Sequence, residues 1–97
     1  MGLTARETLE RHASAAIAGD MDTVLADLTP EIAANIGPVA EALAKVNPTS
    51  FEIMDEAKEG ANYVFTYRYI GKDSDLKLKT VWELQGDAWK IVAAEPL

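Results

Sequence analysis

Proton chemistry in this chain has few carriers to choose from. His12 is the only histidine, and helical spacing from Leu9 sets it at the edge of an apolar stripe, where an imidazole could face a cavity as a general base. The plainer reading is a half-exposed packing residue. Asp55 is the second candidate: strand alternation places it on an aromatic face beside Phe65, and burial among apolar groups favours the protonated form of a carboxyl, as a proton-shuttling acid requires. A one-residue slip of that strand would turn Asp55 to solvent and bring Glu52, Met54 and Glu56 inside, and a strand-end bulge could also free it. Tyr63, Tyr67, Tyr69 and Trp82 could line a pocket, with phenolic hydroxyls orienting a carbonyl or hydroxyl compound, although an aromatic stripe at strand spacing is first of all core. Glu95 falls on the same face, opposite Leu78, close to the chain end.

Other chemistries lack their residues. Asp73 and Asp75 are not followed by the Gly and Glu of a calcium-hand loop, because the chain runs straight into Leu76-Lys77-Leu78. No phosphate-binding glycine loop, nucleophile elbow or metal-ligand spacing around His12 is present, so neither a cofactor nor a metal is expected. A net charge of −7 opposes binding to phosphate backbones, which makes nucleic acid an unsuited partner. The absence of cysteine removes disulfide, thiolate-metal and thiol chemistry and fits a reducing compartment. No stretch approaches the apolar length of a membrane span, the amino terminus carries no apolar leader, and Arg6 stands where an acylation signal wants Ser or Thr. The expected location is cytoplasmic, without membrane contact.

These side chains must be positioned by a single domain over 1–97, since 97 residues with 48% hydrophobic content suffice for one core. Thr4-Ala5-Arg6-Glu7 has capping-box spacing, Ala5, Leu9, Ala13, Ala16 and Ile17 recur at helical steps, and Gly19 supplies a stop. Asp20 or Asp22 caps a second short helix with Val24, Leu25 and Leu28. Thr29-Pro30-Glu31 opens a third, and Gly37-Pro38 restarts a fourth that carries Val39, Leu43 and Val46 as far as Asn47-Pro48.

Beyond Pro48 the period changes to two. Residues 51–57, 62–70, 76–84 and 88–94 read as four strands, and their short connections make neighbours antiparallel. A Gly86-Asp87 hairpin sets Leu84 against Trp89, Trp82 against Ile91 and Glu83 against Lys90. The aromatics align if Tyr63 meets Trp82, Phe65 meets Thr80, Tyr67 meets Leu78 and Tyr69 meets Leu76. A three-residue Glu59-Gly60-Ala61 loop pairs Ile53 with Tyr67, Glu52 with Arg68 and Asp55 with Phe65. The fold class is therefore α+β: N-terminal helices packed on the aromatic face of a curved four-stranded antiparallel sheet.

Two stretches resemble the nuclear transport factor 2-like superfamily, the cystatin-like cone shared by ketosteroid isomerases, scytalone dehydratases and polyketide cyclases. They are Ala18-Gly19-Asp20-Met21-Asp22-Thr23-Val24-Leu25-Ala26-Asp27-Leu28 and the closing hairpin from Trp82 to Val92. The resemblance implies an inward pocket and, in its enzymes, inward carboxylates. This chain departs from the pattern by being short and by reading as helix from Thr29 to Val46, where the family carries a β-hairpin that helps close the pocket.

Two functions follow as expectations. One is a small homodimeric module without catalysis, holding an apolar small molecule or a partner protein. The other is a cofactor-independent lyase, isomerase or cyclase that uses Asp55 and His12 as proton carriers. The dimer contact is expected on the outer sheet face, where Val64, Val81 and Val92 form a row with Met54 nearby and charged residues around it. The resemblance points to the same surface. Taken alone, three valines on an exposed face are also good strand formers.

Overall fold

The computed structural model describes residues 3–97; Met1 and Gly2, read above for an acylation signal, lie outside them. Helix α1 spans Ala5–Ala18, α2 Met21–Ala26, α3 Pro30–Ala34 and α4 Gly37–Val46. Strands β1 (Ser50–Glu59), β2 (Asn62–Ile70), β3 (Asp75–Gln85) and β4 (Ala88–Pro96) form one antiparallel sheet in that order. The helices pack on one face of this curved sheet, as the change of period implies. No helix among the described residues is long and apolar enough to cross a membrane.

Local chemistry accounts for the helix ends. Thr4 Oγ1 accepts the Glu7 N–H at 3.1 Å while Glu7 Oε1 accepts the Thr4 N–H at 2.9 Å, which closes the capping box. These bonds hold the Glu7 carboxyl below its usual range. Gly19 ends α1 at φ 79°, a left-handed conformation that glycine adopts without strain. Asp20 caps α2 and Thr29 caps α3, with Pro30 in its first turn.

Between α2 and α3 the chain runs beside the free edge of β4. Ile91 N–H donates to Asp27 O at 2.8 Å, Thr29 N–H donates to Ile91 O at 3.3 Å, and Leu28 forms a one-residue parallel bridge. Apart from this bridge, no strand precedes Pro48 among the described residues, so the segment from Thr29 to Val46 is helical where the resembled family has a hairpin.

The β2–β3 register follows the aromatic alignment throughout, from Tyr63 opposite Trp82 to Tyr69 opposite Leu76. The other two ladders depart from regular pairing by one residue each. Glu59 pairs with Asn62, so the first turn holds two residues rather than the three expected, with Gly60 at φ 62°. A bulge at Met54 takes up the difference. Glu52–Arg68 and Ile53–Tyr67 keep the expected pairing, but Asp55 lies opposite Thr66, and Glu56 meets Phe65 in its place. A one-residue shift exchanges faces, so Asp55 points outward. On β4, Val92 is the extra residue: Trp82 still faces Ile91, yet Val81 pairs with Ala93 and Lys79 with Glu95. Glu95 is therefore on the outer face, not opposite Leu78.

The core lies between α1 and the sheet. Leu9, Ala13, Phe65, Tyr67, Tyr69, Leu78, Trp82 and Ile91 are all buried in it, with Leu9, Phe65 and Trp82 at 0% exposure. Residues of α4 pack on its margin and none is fully buried.

Candidate functional site

His12 does not sit at the edge of the helix stripe; it is 5% exposed, on the buried face of α1 one turn beyond Leu9 and Thr8. Its Nδ1 lies 3.0 Å from Oδ2 of Asp27, itself 3% exposed. Arg11, on the solvent side of α1, donates from Nη2 to Asp27 Oδ1 at 3.1 Å. The imidazole meets the Trp82 indole edge-on, with centroids 5.5 Å apart and planes at 86°. Asp27 is held from both sides, since its backbone carbonyl accepts the Ile91 N–H. One residue, through its carboxylate to α1 and its carbonyl to β4, thus ties α1, the α2–α3 connection and β4 together.

Asp27 was not singled out by sequence reasoning. It stands within the stretch that resembles the known family, and Val24, Asp27 and Leu28 fall on one helical stripe whose other members are apolar. An acid on an apolar stripe is a signal for a buried pair.

Beyond His12 the sheet continues the polar lining. Trp82 Nε1 donates to Thr80 Oγ1 at 2.9 Å, and Tyr67 and Tyr69 meet edge to face at 5.6 Å. Burial pushes the Tyr67 phenol up to about 12, offset in part by its bonds to Thr80 and Tyr69. The Tyr69 phenol is pushed up as well, by burial first and by the neighbouring Tyr67 second. Both phenols are neutral at physiological pH.

These groups border an apolar cavity of about 50 Å³, walled by His12, Tyr67, Tyr69 and Thr80 on one side and by Val39 and Leu43 of α4 on another. That volume accommodates a water molecule or two. A surface groove of about 240 Å³ lies next to it between α1 and α4, and the two share Ala16, Met21, Ala40 and Leu43 as a common wall.

Of the other candidates only Tyr67 and Tyr69 reach this pocket. Asp55 is exposed on the outer face, because of the bulge at Met54, and cannot act with His12 on one substrate. Trp82 is fully buried and supports the pocket without lining it. Tyr67 lines it. Tyr63 lies at the far end of the sheet, packed edge to face on Trp89 at 5.4 Å, where the two border an open cleft of about 580 Å³. Two polar pairs are closed there, Arg6 with Glu56 at 2.9 Å and Trp89 Nε1 with Leu3 O at 3.1 Å. Among the described residues no cluster of His, Cys, Asp and Glu could hold a metal ion.

On the outer face Val64 is opposite Val81, and Val81 is opposite the Val92–Ala93 bulge. Val64 is 7% exposed, Val81 and Val92 are half-buried, and Met54 is 47% exposed. The bulge widens the apolar row without breaking it.

No family model matches the sequence, and no curated protein matches it closely. Among solved structures, the solution structure of a SEC-C motif containing protein from Rhodopseudomonas palustris is similar, with a TM-score of 0.67 and 12% identity, over 93% of this chain and 76% of that one. At this identity the likeness is one of fold, which carries no activity with it.

Proposed function

We propose that this chain is a short nuclear transport factor 2-like module of the cytoplasm that works without catalysis, as a homodimer holding a small apolar ligand between the inner face of the sheet and α4. The observation that carries the ligand reading is the packing of α4: it covers an apolar cavity, yet none of its residues is fully buried and no side chain caps its start. Moving such a helix outward breaks few close contacts, and merges the cavity with the groove beside it. The alternative of a lyase, isomerase or cyclase needs two proton carriers at one cavity. With Asp55 on the opposite face, His12 alone of the proposed carriers lines the cavity, and Asp27 stands behind it.

The dimer reading draws on the outer face. Around the valine row, Arg68, Lys77, Lys79 and Lys90 stand among Glu52, Asp55, Glu59, Asp75, Glu83 and Glu95, four cations against six carboxylates, so this face carries the smaller part of the net charge of −7. Two copies can therefore approach through it with less repulsion than the rest of the surface would impose. Light scattering after gel filtration tests the contact: the native protein should run as a dimer at tens of micromolar and Val81→Glu as a monomer. A native monomer, or a dimeric Val81→Glu, refutes this half of the proposal.

For the ligand, titration with indole followed by amide NMR should shift Ala16, Ala40 and Leu43 together and saturably. Shifts scattered over the surface, or none at millimolar indole, refute the pocket.

A further inference from the structure

The polar end of the pocket has a direction. Asp27 accepts from Arg11 at Oδ1 and faces His12 Nδ1 at Oδ2. An ionised carboxylate can only accept, so Nδ1 carries the hydrogen and donates it. With the ring's one hydrogen on Nδ1, Nε2 presents a lone pair. Among the described residues no hydrogen bond is made to Nε2, whereas every fully enclosed side-chain nitrogen and oxygen has a partner. Nε2 therefore borders open space, and the open space that His12 lines is the apolar cavity. Tyr67 and Tyr69 line the same cavity with their rings meeting edge to face, and Nε2 is the ring nitrogen left to accept at that end.

We infer that the pocket selects an apolar molecule bearing one hydrogen-bond donor, a phenol or an alcohol, whose O–H donates to His12 Nε2. This rests on the reading that a ligand enters beneath α4. An ether or ketone of the same shape would set its own lone pairs against that of Nε2 and leave both unpaired, a loss that a buried site feels in full. Asp27 sets the preference without touching the ligand, because it decides which ring nitrogen holds the hydrogen.

The probes are para-cresol and its methyl ether, titrated into the native protein and into Asp27→Asn, with affinities read by NMR. The native protein should favour para-cresol by roughly tenfold. In Asp27→Asn the amide oxygen can stay on Arg11 while its NH₂ turns to His12; Nδ1 then accepts, the hydrogen moves to Nε2, and the two affinities should converge. Long-range ¹H–¹⁵N spectra of the imidazole supply a readout that needs no ligand: hydrogen on Nδ1 in the native protein, on Nε2 in the variant. Saturable binding of both compounds with equal affinity to the native protein, or a native ring with its hydrogen on Nε2, overturns the inference and leaves the pocket standing. Failure of both compounds to bind the native protein removes the pocket and the inference together.

Discussion

Helices α1 and α4 lie on the same face of the same sheet and are held in different ways. The first has both ends closed, by the capping box and by Gly19, and buries Ala5, Thr8, Leu9, His12, Ala13 and Ala15. The second starts at Ile36 with no side-chain cap and keeps Val39, Leu43 and Val46 only half-buried. What fixes α4 is its far end, where Asn47 takes a left-handed conformation and Val46 closes on Gly71. An apolar stripe therefore does not by itself distinguish a wall of the core from a cover over it; depth of burial and closure of the ends do.

The largest effects should come from the α1 side. Trp82→Ala removes a fully enclosed indole and its bond to Thr80, and Leu9→Ala empties a position with 0% exposure. Each should lower stability in a denaturant melt by about 2 to 5 kcal/mol, Trp82→Ala at the upper end. A loss below about 1 kcal/mol for either would mean that α1 is no more tightly held than α4, and the contrast would vanish.

Gly71→Ala addresses the anchor of α4. A methyl group at this position would stand 2.2 Å from the Val46 carbonyl oxygen, so the helix end or the β2–β3 loop must move. Overpacking of this kind costs about 1 to 3 kcal/mol. Amide exchange should accelerate in α4 while α1 stays protected. Uniform acceleration through both helices would show that α4 is part of the core and not a separately opening cover.

The parts of this architecture that local rules control were legible in the sequence. The Thr4 capping box, Gly19, the Thr29-Pro30 start and the change from helical to alternating period each act within a few residues, and each is found where the pattern puts it. The β2–β3 register was legible because four aromatic or aliphatic pairs agree on it. The bulges at Met54 and Val92 were not. They reconcile the lengths of turns and strands across a whole ladder, and no single residue announces them. The His12–Asp27 pair was hidden for a related reason: the two residues are 15 apart and meet only because α2 turns back along α1 and hands the chain to the edge of β4. Half of the pair was visible as a lone histidine. The other half required the tertiary path.

Leu43→Ala should have a smaller effect, about 1 kcal/mol, because a half-buried leucine loses only part of its transfer energy and leaves no sealed void. It also thins the wall between cavity and groove, so para-cresol should bind at least as well as to the native protein. A loss comparable to Leu9→Ala would place Leu43 in the core and close the proposed route of entry.

The smallest effect is expected at Asp55, and it tests the comparison from outside. If the bulge at Met54 turns Asp55 outward, its carboxylate is hydrated, opposite Thr66 and away from the aromatic face. Asp55→Asn should then change stability by no more than about 0.5 kcal/mol, the usual range for a surface substitution. It should leave para-cresol binding unaltered as well. The regular register makes the opposite demand: beside Phe65 and Tyr67 an inward Asp55 would approach the pocket, and its conversion to an amide would alter both stability and ligand affinity. Measuring the two together separates the registers even if one effect is masked. A stability change above about 1 kcal/mol accompanied by altered para-cresol affinity would return Asp55 to the inner face beside Phe65. The case against catalysis, which rests on Asp55 facing outward, would then lose its main premise.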